Sequence, residues 1–181
     1  YKSLSDPLKH IEALLKVISR AQDEDISPQA YIKWARDHKD KKQLEVGLIY
    51  QKYQALKLSH GFVDFADQVS LALKLFRQQP QLLKKYQKRF KYILVDEFQD
   101  TNYSQFQLLK LLAPKQANLT VVGDDDQAIY KFRGAAIANI LSFAKHYKSC
   151  KKVVLIDNYR SSQTILDMAY KVIKHNNPDR L

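Results

Sequence analysis

The spacing of apolar residues changes character near residue 91. Ahead of that point it is helical throughout. Asp6-Pro7 supplies an N-cap and first-turn pair for a helix carrying Leu14, Leu15, Val17 and Ile18, and Ser27-Pro28 repeats the signal before Tyr31, Ile32 and Trp34. A third helix is predicted from about Lys42 to Leu58, with Leu44, Leu48, Tyr50, Tyr53 and Leu56 on its apolar side and Ser59-His60-Gly61 as its stop. Asp64 opens a fourth, "DFADQVSLALKLF", ended by Pro80, and "QLLKKYQKRF" forms a short fifth. Trp34, Tyr50 and Tyr53 read as core residues. Asp23-Glu24-Asp25 and the Lys-rich stretch 39–42 read as loops.

Beyond residue 91 the pattern alternates. "YILV" (92–95), "NLTVV" (118–122) and "KKVVLI" (151–156) are short β-branched runs bounded by polar residues, and each is predicted to be a strand. Helical patterns fall between and after them: "SQFQLLKLLA" (104–113), "IANILSFAKHY" (137–147) and "SSQTILDMAYKVIKH" (161–175). Three strand–helix alternations predict an α/β fold with a parallel sheet and right-handed crossovers. No internal repeat or low-complexity tract is present.

Composition narrows the class. The 181 residues are 45% hydrophobic, enough to bury a core, yet no run approaches the roughly 18–20 apolar residues of a membrane span. No signal-peptide pattern opens the chain, and the single Cys150, expected as a half-buried bystander, suits a reducing cytoplasm. A cytoplasmic protein with no membrane partner is the expectation. The net charge of +11 is uneven: residues 1–91 hold 18 Lys/Arg against 10 Asp/Glu, a net of +8, and residues 92–181 hold 12 against 9, a net of +3. A basic front half suits a polyanionic partner, most simply nucleic acid, and equally suits a solvated Lys-rich surface.

Each predicted strand runs straight into a polar cluster: Asp96-Glu97-Phe98-Gln99-Asp100, then Gly123-Asp124-Asp125-Asp126-Gln127, then Asp157-Asn158-Tyr159-Arg160. The carboxyl ends of parallel strands form the ligand crevice of open α/β sheets, so three clusters in register would converge on one site. Their chemistry suits nucleotide phosphates. Asp96 at a strand end can hold Mg²⁺, a hard cation that prefers carboxylate and water oxygens. Glu97 can orient and deprotonate an attacking water, Gln127 can sense a γ-phosphate or that water, and Arg160 offers a planar cation for developing phosphoryl charge. An isolated Asp-Glu would more simply cap the following helix.

"VDEFQDTN" (95–102), "VVGDDDQAIYKFRGA" (121–135) and "NYRSSQTIL" (158–166) resemble, in order and spacing, motifs II, III and IV of the UvrD/Rep/PcrA-type superfamily 1 DNA helicases. "DFADQVSLALKLF" (64–76) is similar to the segment that precedes motif II there, and the resemblance runs from roughly residue 45 to the C-terminus. It implies that Asp96 and Glu97 bind Mg²⁺ and activate water, and that Gln127 contacts the γ-phosphate and links nucleotide to DNA. It further implies that Arg160 reaches the γ-phosphate, Tyr159 stacks on adenine, and Tyr130, Phe132 and Arg133 approach single-stranded DNA. Several relatives carry Trp where this chain has Phe132, which still offers a stacking face. The implied fold is α/β: a partial RecA-like parallel sheet with flanking helices (91–181), preceded by an all-helical, basic, DNA-contacting insertion subdomain (1–90). The implied activity is that of a 3′–5′ helicase or translocase, with ATP and Mg²⁺ as cofactors. Its partners would be single-stranded DNA, single/double-strand junctions and the remaining helicase domains of the same protein.

A phosphate-binding G-x-x-x-x-G-K-[ST] loop cradles phosphates with backbone N–H groups. The four glycines, at 47, 61, 123 and 134, make no such loop. The chain therefore reads as a fragment that begins inside the insertion and stops just past motif IV, with an incomplete sheet and no ATP hydrolysis of its own. A stand-alone DNA-binding module and a member of the nuclease-linked branch of the family are the competing readings.

Overall fold

The computed structural model describes residues 7–128 and 137–174. They form helices α1 (Pro7–Asp23), α2 (Pro28–Asp37), α3 (Lys41–His60), α4 (Phe65–Gln78) and α5 (Pro80–Arg89), then strand β1 (Tyr92–Val95), helix α6 (Tyr103–Leu112) and strand β2 (Asn118–Val121). Helices α7 (Ile137–His146) and α8 (Gln163–Ile173) follow, and 3₁₀ turns at Phe98–Asp100 and Asp125–Gln127 follow the two strands. The chain divides into two compact units. One holds the described residues up to Lys91 together with Asn102–Leu112; the other holds Tyr92–Thr101 and the described residues from Ala113 onward.

In the helical unit the ends are set by local chemistry. Ser27 accepts the Ala30 N–H at 3.2 Å and Asp40 accepts the Gln43 N–H at 3.0 Å, each satisfying a donor that the first helical turn leaves free. Gly61 ends α3 with φ 68°, a left-handed conformation that costs a Cβ-bearing residue more. Asp64 and Asp67 close a reciprocal capping box at the start of α4. Ile18, Ala21 and Tyr50 are the buried centre, with Ile26, Tyr31 and Tyr53 packed against it. Helix α6 joins this unit through Ser104, whose Oγ donates to the Gln22 carbonyl at 2.5 Å, and through Asn102, whose amide donates to Asp23 at 2.7 Å.

A buried ionic cluster sits among these helices. Lys57 Nζ donates to Asp64 at 2.5 Å and to Asp67 at 2.6 Å. Gln22 and Gln54 donate to the other Asp67 oxygen at 2.7 and 3.2 Å. Burial alone would raise the Asp67 pKa, but the hydrogen bonds from Lys57, the Asp64 backbone, Gln22 and Gln54 outweigh it and hold the carboxyl below its ordinary value. The Lys57 ammonium is likewise raised by its two carboxylates against the pull of burial.

In the second unit β1 and β2 are parallel, with Tyr92 opposite Asn118 and Val95 opposite Val121. Two of the three expected strands are therefore present. The third, 151–156, is not a strand: it carries no regular structure, and Val153 to Ile156 are 66–85% exposed. A strand exists only through pairing, and among the described residues no neighbour pairs with this run. Its continuous apolar sequence, the pattern of a strand covered on both faces, is left uncovered. Three expected core positions also differ. Leu48, Leu56 and Trp34 are exposed, because α3 turns Gly47, Tyr50 and Lys57 inward and Trp34 stacks on His38 at 4.6 Å. Cys150 is exposed rather than half-buried.

Removing one partner from the ionic cluster strands the others. Asp67→Ala is expected to destabilise the helical unit by about 3–5 kcal/mol, read from the denaturant midpoint. A pH effect follows from Asp23, whose carboxyl burial pushes up to about 6, with Glu24 adding to the shift. Its folded value lies above the ordinary 3.8, so the folded unit holds the proton more tightly than the unfolded chain. This group's contribution to stability therefore falls as pH rises from about 4 to about 6, and Asp23→Asn should flatten that part of the stability–pH curve.

Candidate active site

The parallel ladder does not stop at the ends of β1 and β2. Val122 N–H donates to the Val95 carbonyl at 2.8 Å, and Phe98 N–H donates back to the Val122 carbonyl at 2.9 Å. These two bonds hold the residues following each strand side by side, so the first two polar clusters emerge at one level.

The turn after β1 is abrupt. Glu97 adopts φ 49° and ψ 43°, a left-handed conformation unusual for a residue with a side chain and costly by about 1–3 kcal/mol. It reverses the backbone, so that Phe98 and Gln99 turn inward while Asp96 and Glu97 stay at the surface. Phe98 is fully buried against Phe143 of α7, edge to face at 5.3 Å. Asn139, also on α7 and buried, donates to the Thr101 carbonyl at 2.9 Å and fixes the far end of the turn.

Gln99 bridges the two clusters. Its Nε2 donates to Glu97 Oε2 at 2.6 Å, and its Oε1 accepts the Asp124 N–H at 3.1 Å. Asp124 then accepts the Asp126 N–H at 2.9 Å and the Gln127 Nε2 at 2.7 Å. Asp96 Oδ1 accepts the Glu97 N–H at 2.9 Å. Gly123 makes the approach possible: a Cβ there would lie 2.9 Å from Gln99 Oε1 and 3.1 Å from Ile140 Cδ1. Neither Gln99 nor Gly123 stood out as a functional residue in the sequence; the available signal was a glutamine two residues beyond Glu97 and a glycine closing the second strand.

Among the described residues no group of three or more His, Cys, Asp or Glu side chains could cage a metal ion. Magnesium is commonly held by one or two carboxylates with water and phosphate oxygens completing its shell. Exposed Asp96 beside Glu97 fits that habit and does not form a self-sufficient cage.

Asp96, Glu97 and Gln127 thus belong to one hydrogen-bonded neighbourhood. Tyr159 and Arg160 do not join it. Tyr159 is 94% exposed, and the backbone N–H groups of Arg160 and Ser161 both donate to Asn158 Oδ1 at 2.9 Å, a local turn ahead of α8. Among the described residues no hydrogen bond or ion pair links the Arg160 side chain to Glu97 or Gln127. Tyr130, Phe132 and Arg133 lie outside the described residues.

Fold and site together define an α/β protein whose adjacent parallel strands deliver carboxylates and glutamines to a shared rim. Residues 2–148 match the UvrD/REP helicase N-terminal domain. The chain is 47% identical over 165 residues to the ATP-dependent DNA helicase PcrA of Leuconostoc citreum, covering 91% of this chain and 22% of that protein. It is 44% identical over 164 residues to PcrA of Bacillus subtilis, with coverage of 91% and 22%. Against PcrA of Staphylococcus aureus it is 49% identical over 131 residues, covering 72% of the chain and 18% of the relative. The chain belongs to the UvrD/Rep helicase family and spans about a fifth of the length of these relatives.

Phe98 anchors the turn that presents Glu97. Phe98→Ala is expected to cost about 3–5 kcal/mol, whereas Phe98→Leu should cost less than about 1.5 kcal/mol. Hydrogen exchange of the Val122 and Phe98 amides, faster in the alanine variant, reports the loss.

Proposed function

We propose that this chain is the central part of an ATP-dependent DNA helicase or translocase, which couples Mg-ATP hydrolysis to 3′–5′ movement on single-stranded DNA. The observation that carries the reading is the hydrogen-bonded meeting of the Asp96–Gln99 and Asp124–Gln127 clusters beside a parallel strand pair. The PcrA relatives, named as ATP-dependent DNA helicases, support it.

In this reading Asp96, with Glu97 beside it, would hold Mg²⁺, which supplies charge neutralisation on the phosphate oxygens. Glu97 takes the proton from the attacking water at its carboxylate. Gln127 contacts the γ-phosphate and relates it to DNA. Arg160 meets phosphoryl charge and Tyr159 stacks on adenine once motif IV is brought to the nucleotide. Tyr130, Phe132 and Arg133 face single-stranded DNA. Residues 1–90 act as a basic insertion subdomain, with its net positive charge directed at phosphates, and residues 91–181 as part of a RecA-like core. Junction DNA and the remaining helicase domains complete the set of partners, in the cytoplasm.

In the full-length protein, single-stranded DNA should stimulate ATP hydrolysis, and Glu97→Gln should lower kcat by about 10²–10⁴-fold, the usual contribution of a positioned general base. The 181-residue chain by itself, which lacks a G-x-x-x-x-G-K-[ST] sequence, should show no turnover. Wild-type levels of hydrolysis in the Glu97→Gln protein would sink the assignment.

A further inference from the structure

Gln99 commits both polar atoms of a buried amide to opposite sides of the candidate active site. The residue is 1% exposed. Asp124 N–H can only donate, so it requires the amide oxygen; that choice turns Nε2 toward Glu97, whose Oε2 accepts it at 2.6 Å. Among side chains of this length, glutamine offers an acceptor on one side and a donor on the other. Glutamate would set a second carboxylate against Glu97, and methionine would leave the Asp124 N–H unpaired.

An independent feature points the same way. Gly123 brings the end of the second strand so close that a Cβ there would stand 2.9 Å from Gln99 Oε1 and 3.4 Å from its backbone nitrogen. Contacts below 3.0 Å force something to move, and here the atom met is itself hydrogen-bonded to Asp124. The bonds continue from Asp124 Oδ2 to Gln127 Nε2, so four residues form one linked series from Glu97 to Gln127.

We propose that Gln99 is a positioning residue that holds the Glu97 carboxylate in register with the Gln127 turn, so that a displacement of that turn is felt at Glu97. This rests on the ATPase reading above. Glu97 sits in a strained backbone conformation and is exposed, and among the described residues the Gln99 amide donates a hydrogen bond to its carboxylate. The link accounts for an interior amide where an apolar side chain would fill the space without needing polar partners.

The test uses the full-length protein, with steady-state ATPase measured with and without single-stranded DNA. Gln99→Met should lower DNA-stimulated kcat by about 10–100-fold, while the KM for ATP moves less than about threefold, because the link acts on the water-activating group and not on ATP binding. Gly123→Ala should lower kcat in the same direction. The double variant should be no worse than the more impaired single one, since both break the same connection. Gln99→Glu keeps the Asp124 bond and loses the Glu97 donor, so it should fall with Gln99→Met. Wild-type kcat in Gln99→Glu, or additive losses in the double variant, would overturn the proposal. So would a Gln99→Met kcat within about threefold of the wild type. Failure of the underlying reading is distinguishable: the wild-type protein itself would show no DNA-stimulated hydrolysis, or Glu97→Gln would leave it intact.

Discussion

Two backbone hydrogen bonds carry the parallel pairing of β1 and β2 past the regular ladder, from Val122 to Val95 and from Phe98 back to Val122. Everything at the candidate site depends on them. They set the two strand ends at one height, which lets the Asp124 N–H meet the Gln99 amide and lets Glu97 leave the sheet in a left-handed turn. A slip of one residue would turn Phe98 out of its seat against Phe143 and carry Gln99 away from Asp124. The register is therefore enforced by packing and by polar satisfaction at once. Such a short two-stranded pair needs both, and α7 supplies the cover through Phe143 and Asn139.

The helical unit solves a different problem. Helices α1, α4 and α5 pack on α6 and α2 packs on α3, and the polar interior is a network in which Lys57, Asp64, Asp67, Gln22 and Gln54 hydrogen-bond to one another, with Gln22 Oε1 left without a partner among the described residues. Asp67 Oδ2 serves twice, accepting the Asp64 N–H in the capping box of α4 and the Lys57 ammonium in the interior. An apolar core of the same volume would be at least as stable, so the network is better understood as fixing which helix faces meet. Gly47 turns inward against Ile32 of α2, where a Cβ would stand 2.8 Å from Ile32 Cγ1, and Lys57 turns inward to its two carboxylates, which leaves Leu48 and Leu56 outside.

Family membership and geometry answer different questions here. The match to the UvrD/REP helicase N-terminal domain covers residues 2–148 and says which family the chain belongs to. The geometry says what holds its motif II and motif III residues in mutual register: a buried amide, a glycine without room for a side chain, and an aromatic pair. The motif IV residues differ in kind. Asn158 organises a local turn at the mouth of α8, and Tyr159 stands in solvent.

Local signals fixed much of this in advance. Ser27, Asp64 and Gly61 mark helix ends because each satisfies or relieves the backbone within a few residues, which needs no tertiary partner. The runs 92–95 and 118–121 and the carboxylates beyond them are equally legible, since period and composition are local properties. The run 151–156 is as strand-like by composition, yet it is unpaired, because a strand is made by its neighbour. The amphipathic reading of α3 holds at Tyr50 and Tyr53 and fails at Leu48 and Leu56 for a related reason: which side of a helix turns inward is decided by the partner's shape. Gln99 is the sharpest case. In the sequence it is one of four polar residues between Asp96 and Asp100, and only the approach of Gly123 and of Asp124, 25 residues away, makes it the bridge between Glu97 and Gln127. The chain thus specified by itself its elements and the chemistry at their ends; the tertiary structure decided which of those groups touch, because hydrogen bonds between distant segments form only where packing brings donor and acceptor together.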